Sequence, residues 1–484
     1  VYNNFAFIEP TTQVILNSRY ALILGLVALI AACSPQKQTF SVTVVPTQIG
    51  GGAPVYSPTP TLTLTPTPTA TITPSPTLTP TLTPTPTLSA TPSPSFTPTQ
   101  ALITLTPPSR EGAPRAVLNA PAELAATDGW SCGDFPCADD IDGFMERIHV
   151  PADYALEHVG RFPGQPMQIV YGPDERLYAT VLEDGALRTG AVYVMDDAGE
   201  TERYAGDFFS PVGLVFQPGT DVLYVSSRMS VDEGGALWRI VPGREPEIVL
   251  DDLPCCYGLI DNQPNGMVFG PDGYLYMGIG ALTDHAESDH PESKPYADIL
   301  PLEAAILRIQ PHTGEVEAFA QGLRNPYDLT FDSAGQFYAT DQGMVSGPGD
   351  RVLAINEGAH YGWPYWRMFD CEGCPIKPAR LEIAPNLATF PPYSIPRGLV
   401  AYTGTQFPVN MFDSLFVTLW NGTESAQRVV RIDPRRPVTD PLVPPGEAFV
   451  TGLIRPIDVT IAPDGSLVVA DFIYGHIWRV RYMG

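Results

Sequence analysis

Positive charge is scarce in this sequence: 27 Lys and Arg stand against 53 Asp and Glu, for a formal charge of −26 over 484 residues. Affinity for nucleic acid or for an anionic membrane surface rests on Lys and Arg, so the balance argues against both as partners and suits solubility outside the cell. Long apolar runs are lacking too. YALILGLVALIAA, at 20–32, is too short for a confident spanning helix. Histidine numbers seven, none at finger spacing to a cysteine, which disfavours a zinc site. From Pro46 to Ser109 there is no charged residue at all.

What fills that uncharged stretch is Pro and Thr, in runs such as SPTPTLTLTPTPTATITPSPTLTP. Such a segment cannot pack a core, so residues 34–109 read as a disordered Pro/Thr-rich linker. Extended as polyproline II it would reach roughly 200 Å, and its threonines permit O-glycosylation. Ahead of it, Arg19, the short apolar run and Ile30-Ala31-Ala32-Cys33 read as a secretory signal over 1–33. Ile-Ala-Ala-Cys resembles a bacterial lipobox, which implies a lipid on Cys33 and an exported protein anchored at the cell surface. An ordinary cleaved signal or an uncleaved anchor is the alternative. Residues 110–150 form an extension containing Cys132 and Cys137. Six cysteines then remain in three local pairs, Cys132/Cys137, Cys255/Cys256 and Cys371/Cys374. In an exported chain an even count suggests disulfides, with local pairing the simplest of 15 possible connectivities.

After residue 150 one pattern returns six times, beginning at Pro166, Pro211, Pro264, Pro326, Pro396 and Pro456. Each copy is an alternating apolar run, a PDG-like turn and a second apolar run, as in PNGMVFGPDGYLYMGIG. Alternation around a tight Gly turn is a hairpin signal, and a third and fourth strand follow. The expectation is an all-β, six-bladed β-propeller over 151–484. The last repeat ends without a fourth strand, and ADYALEHVG (152–160) is an orphan strand. It is predicted to close the ring by pairing with the last blade. The loops 251–263, 281–303, 342–349 and 421–427 should crowd one end of the channel, where a site would be built.

Several of these segments resemble the glucose/sorbosone dehydrogenase family: NGMVFGPDGYLYMGIG, AQGLRNPYDLTF, ATDQG followed by GDRVLAINEGAHYGWP, and RPIDVTIAPDGSLVVADF. The family's members are soluble six-bladed propellers that use pyrroloquinoline quinone (PQQ) to oxidise sugar or aldehyde-type substrates. The resemblance implies roles. Arg324 and Asn325, of GLRNP, would bond the quinone edge, and Arg455 would face a carboxylate of PQQ; a planar guanidinium fits both. Carbonyls of Gly343 and Met344, with Asp350 close by, would hold Ca²⁺. Phe390 or Tyr393 could supply a surface for stacking, or either could be core.

The chain departs from the family where a His should take the substrate's hydroxyl proton. Asn262 and Gln263 stand there, and neutral amides do not titrate near neutral pH. The Lys of some members near Asn421 is missing, and Leu182-Glu183 replaces an expected Arg. Substitute bases are Asp261, His285 and His290. The first functional expectation is thus an exported, membrane-tethered PQQ-dependent dehydrogenase, with an electron acceptor in the periplasm or outside the cell. The second is a non-catalytic propeller at the cell surface that binds carbohydrate or a protein partner. A Ca²⁺-dependent lactonase-like propeller is a weaker third.

Overall fold

The computed structural model describes residues 132, 135–184, 189–230, 233–256, 262–286, 298–345, 347–368, 374–421, 426–436 and 445–484. The expected leader and linker with Cys33 lie outside them, as do Asp261, His290 and Cys371. Among the described residues no helix is long and apolar enough to cross a membrane.

The fold is an all-β propeller. Its inner strands are Gln165–Tyr171, Leu214–Phe216, Pro264–Phe269, Pro326–Phe331, Pro396–Ala401 and Pro456–Ile461, and each begins a four-stranded antiparallel blade. Strand faces that alternate between neighbouring blades bury aromatic clusters between them. Tyr276, Phe319, Phe331 and Phe337 form one such cluster between blades three and four. At the first turns glycine supplies a left-handed backbone, with φ of 83° at Gly273 and 85° at Gly465.

The sixth blade lacks a fourth strand of its own. Tyr154–Arg161 fills the place, pairing antiparallel with His476–Tyr482, from Tyr154 opposite Tyr482 to Arg161 opposite His476. Residues just ahead of that strand also pack on the ring. A short helix, Ile141–Arg147, is capped by the Asp140 carboxylate accepting from Gly143 N at 3.0 Å. It sets Phe144 edge-on against His476 and close to Trp478. Arg147 Nε donates to Gly452 O, and His149 bridges to Thr451. His158 Nε2 and His476 Nδ1 lie 3.0 Å apart in this closure, and burial pushes the His476 imidazole down to about 3. Cys132–Cys137 and Cys255–Cys256 are joined as disulfides, and Cys374 is disulfide-bonded as well.

A clasp not foreseen from the repeat joins successive blades. In five blades the first hairpin shifts register just after the inner strand's proline, freeing backbone N–H groups from the ladder. A hydroxyl on the second strand accepts from the inner strand and donates to a carbonyl of the next blade. Thr340 Oγ1 accepts from Asp328 N and donates to Arg397 O, and Thr418 Oγ1 accepts from Gly398 N and donates to Ile457 O. Thr180 and Ser226 do the same from blades one and two. Blade six has Ala470 at this position, and there the Asp458 carboxylate reaches blade one instead, accepting from Ile169 N at 2.7 Å.

Candidate functional site at the loop rim

The two ends of the channel differ. On one, the first turns of blades two, three and four gather around a groove of about 550 Å³ lined by Pro218, Pro271, Ser333 and their neighbours. On the other, the segments ahead of the third and fourth inner strands meet residues 281–285 and 343–345. One excursion was not foreseen: residues 356–368 leave the turn end after Ile355 and climb to the loop rim. His360 pairs parallel to Gln321, Trp363 N donates to Gly322 O, and Trp363 Nε1 donates to Asp284 O at 2.8 Å.

Asn262 and Gln263, ahead of the third inner strand, are buried braces. Asn262 sits at φ 50°, a region Asn tolerates, and Nδ2 donates to Ala281 O and Arg324 O at 2.9 and 3.1 Å. Gln263 Oε1 accepts from Arg228 Nε at 2.8 Å, and Nε2 donates to Ser210 O. Asn325 is also inside the wall. Its Oδ1 accepts from Asn262 N and Asn265 Nδ2, and its own N–H donates to Asp341.

Arg324 turns the other way. Its Nε donates to Asp284 Oδ1 at 2.9 Å, both side chains being buried. The same carboxylate accepts from Val345 N at 3.1 Å and lies 3.1 Å from His285 Nδ1. Arg324, the 342–349 loop and His285 therefore converge on Asp284, a residue the sequence reading did not single out. Arg324, Gly343, Met344, Arg351, Trp363 and Trp366 enclose a recess too tight for a water molecule.

Asp350 is buried at the far end of that loop. Its Oδ1 accepts from Gly343 N at 2.8 Å and its Oδ2 from Ile395 N at 2.9 Å. Desolvation outweighs these bonds and raises the carboxyl to about 6. Asp350 thus ties the loop to the chain entering blade five. Gly343 is required by close approach, since a Cβ there would meet Gly349 O at 2.2 Å. Tyr393, 39% exposed, continues the rim: its hydroxyl donates to Val345 O, and its carbonyl accepts from Asn421 Nδ2. Phe390 does not reach the site. It pairs with Asp350 in the outer strand of blade four and packs in the core with Val352 and Leu399, because the alternation of ATF turns it inward. Tyr393 alone of the two expected stacking residues faces the rim.

On the opposite side Arg455 Nη1 donates to Trp420 O at 3.4 Å, and its guanidinium lies 5.0 Å from the centroid of the Trp420 ring. Burial lowers the Arg455 guanidinium to about 10, with Asp471 opposing the shift. Arg397 packs between the rings of Tyr327 and Trp420, at 4.5 and 5.6 Å. Arg228, Asp284, Arg397 and Trp420 all escaped the sequence reading. For Arg397 a signal existed: it is the second inner-strand residue, at the position of Tyr327, whose hydroxyl reaches blade one at Met167 O.

Residues 261–477 match the glucose/sorbosone dehydrogenase family profile. Over that stretch the chain is similar to the glucose/sorbosone dehydrogenase family. An uncharacterized protein of Borreliella burgdorferi is 25% identical over 203 residues, 37% of this chain and 52% of that protein. The chain spans about half or less of the length of the curated relatives it matches. Among solved structures, the soluble aldose sugar dehydrogenase of Escherichia coli in its apo-form superposes with a TM-score of 0.50 at 16% identity, over 68% of this chain and 99% of that one. The holo form of the pyranose dehydrogenase PQQ domain of Coprinopsis cinerea gives 0.51 at 14% identity, over 69% and 97%. At these identities the likeness is one of fold.

The rim's donor set suits a flat polyanion. Four arginines, Arg228, Arg324, Arg397 and Arg455, are buried at the rim of a strongly acidic protein. Among the described residues Trp420 Nε1 is a buried donor without a hydrogen-bond acceptor. A planar tricarboxylate such as PQQ matches both features. For a cation, the described residues contain no group of three or more His, Cys, Asp or Glu side chains able to hold one. A calcium ion here would rely on the Gly343 and Met344 carbonyls.

Proposed function

We propose that this protein is an exported, PQQ-dependent oxidoreductase that oxidises a sugar or aldehyde-type substrate at the loop rim. The observation that carries the reading is the set of buried arginines in a chain of net charge −26. Guanidinium groups already held in place by protein partners, as Arg324 is by Asp284, are planar donors pre-set for the carboxylates of an anionic cofactor. In this reading Arg324, Arg397 and Arg455 hold the carboxylates and quinone oxygens of PQQ, and Tyr393 offers a ring face. The carbonyls of Gly343 and Met344 hold Ca²⁺. Bound there, PQQ would supply a two-electron acceptor for oxidation at a carbinol carbon.

The protein's own contribution is orientation and proton handling. Asn262 and Gln263 hold the wall beneath the site, and neither takes up a proton near neutral pH. Lipid attachment at Cys33 and delivery of electrons to an acceptor outside the cytoplasm belong to the same reading. The test is to add PQQ and Ca²⁺ to the full chain, follow the quinone absorbance, and then assay dye reduction against a sugar panel. An absorbance change and turnover of at least one sugar are expected. An unchanged spectrum overturns the reading.

The buried amides at 262 and 263 favour one alternative, a cell-surface propeller that binds carbohydrate without oxidising it. Sugar binding by calorimetry with no dye reduction in the presence of PQQ would select it.

A further inference from the structure

We infer that the extension ahead of the closing strand is a disulfide-closed brace that positions Arg455, so that the rim is completed only when Cys132 and Cys137 are joined. The inference deepens the proposed oxidoreductase and rests on that reading.

The extension is first tied to itself. Cys132 and Cys137 are bonded, Phe135 N donates to Cys132 O at 3.0 Å, and Asp140 N donates to Cys137 O at 2.9 Å. Phe135 is buried, and the Arg147 guanidinium lies 4.7 Å from the centroid of its ring. From there the extension grips the chain that leads into the sixth inner strand. Arg147 Nε donates to Gly452 O at 2.9 Å. His149 and Thr451 exchange both backbone hydrogen bonds, each at 3.0 Å. Gly452, at φ 88°, leaves no gap: a Cβ there would meet Arg147 O at 2.2 Å and Ile148 Cα at 3.1 Å. Phe135, Phe144, Ile148, Leu453, Ile454 and Trp420 share one apolar core.

Residues 452–455 are the whole connection between Glu447–Thr451 and Pro456–Ile461, so a shift at Gly452 passes directly to Arg455. On the ring side that connection is held by Asp471, whose carboxylate accepts from Ile454 N at 2.7 Å and Arg455 N at 2.9 Å. Gln427 Nε2 donates to Ile454 O at 3.0 Å as well. The extension holds the other end, at Thr451 and Gly452. Fixed at both ends, the connection sets the Arg455 guanidinium 5.0 Å from the Trp420 ring centroid. The brace depends on oxidation. Both thiols lose a proton and two electrons pass to a disulfide oxidant: one S–S bond forms, one breaks, and the oxidant leaves as a dithiol. Oxidants of that class act outside the cytoplasm. A chain still in a reducing compartment would have its blades and its closing strand, but a loosened Arg455.

The test uses the full chain and begins without PQQ. Side-chain ¹H–¹⁵N correlation reads the Arg455 Nε–H, and Arg455→Met assigns the signal. The paired variant Cys132→Ser with Cys137→Ser should shift or broaden that signal, and an unchanged signal overturns the inference. On titration with PQQ, the paired variant and Arg147→Ala should each bind about tenfold more weakly than wild type. Arg147→Lys should recover part of the loss. Undiminished affinity in both overturns the inference. In an Arg455→Met background the same changes should have no further effect on PQQ affinity, because they act through Arg455. Full additivity overturns it and leaves the brace a merely stabilising element. Should the paired variant fail to fold, Arg147→Ala and Arg147→Lys carry the same comparisons. Failure of wild type to take up PQQ sinks the functional reading, and the Arg455 signal then decides this inference by itself.

Discussion

The two rims of the propeller use aspartate differently. At the turn rim three Asp serve their own hairpins: the Tyr178, Tyr276 and Tyr338 hydroxyls donate to Asp174, Asp272 and Asp332, four to six residues away. At the loop rim one Asp ties together segments far apart in sequence. Asp284 joins Arg324, Val345 and His285, and Asp350 joins Gly343 to Ile395. The first arrangement is local, repeated and half exposed. The second is long-range and buried. A turn needs only its own residues to be right, whereas the site needs several blades to be in register before any part of it exists.

The largest expected effect comes from cutting a long-range tie. Asp350→Ala leaves the N–H groups of Gly343 and Ile395 without their acceptor, and should cost roughly 2–5 kcal/mol in urea unfolding. It should also abolish the absorbance change on adding PQQ. Next is Arg455→Met, expected to weaken PQQ binding at least tenfold by fluorescence titration while the unfolding midpoint holds. Thr418→Val breaks the clasp between blades five and six and should cost about 1–3 kcal/mol, with PQQ affinity unchanged. Asp272→Ala, at the turn rim, should cost about 0.5–1.5 kcal/mol and leave the site untouched. A site effect from Asp272→Ala as large as that from Asp350→Ala would erase the distinction between the rims.

Acidity gives a further contrast. Asp328 and Asp458 meet deep in the channel, and burial raises Asp328 to about 7 and Asp458 upward as well, the latter also by repulsion from Asp328. The folded state therefore binds more protons than the unfolded chain between the ordinary 3.8 and about 7. The stability from these carboxyls is full below the lower value and is lost as pH rises through the upper one. Asp328→Asn should flatten that slope in urea midpoints measured across pH, whereas Asp272→Ala should leave it intact.

The same contrast explains what could be read from sequence. Strands, turns and blades were legible because each repeat carries its own alternation and its own Gly, as in PNGMVFGPDGYLYMG. Ring closure was legible because a strand was missing at one end and spare at the other. Within the site, Arg324 and Arg455 were found through motifs. Phe390 and Tyr393 could not be told apart because TFPPY carries both a core residue and a rim residue, and only the strand pairing with Asp350 separates them. Asp284 has no local signature: ALTDHAESDH reads as a solvated acidic loop, and its partners come from the GLRNP loop and the segment after DQG. The climb of 356–368 and the hydroxyl clasps likewise depend on which blade lies alongside.

The closing strand has a consequence for synthesis. Between His158 and His476, which meet in the closure, the chain runs 318 residues. A nascent polypeptide leaving the ribosome must keep Tyr154–Arg161 unpartnered until the final strand, His476–Tyr482, has emerged. Loss of even the last dozen residues would leave an open crescent with two sticky ends, however well the earlier sheets had formed.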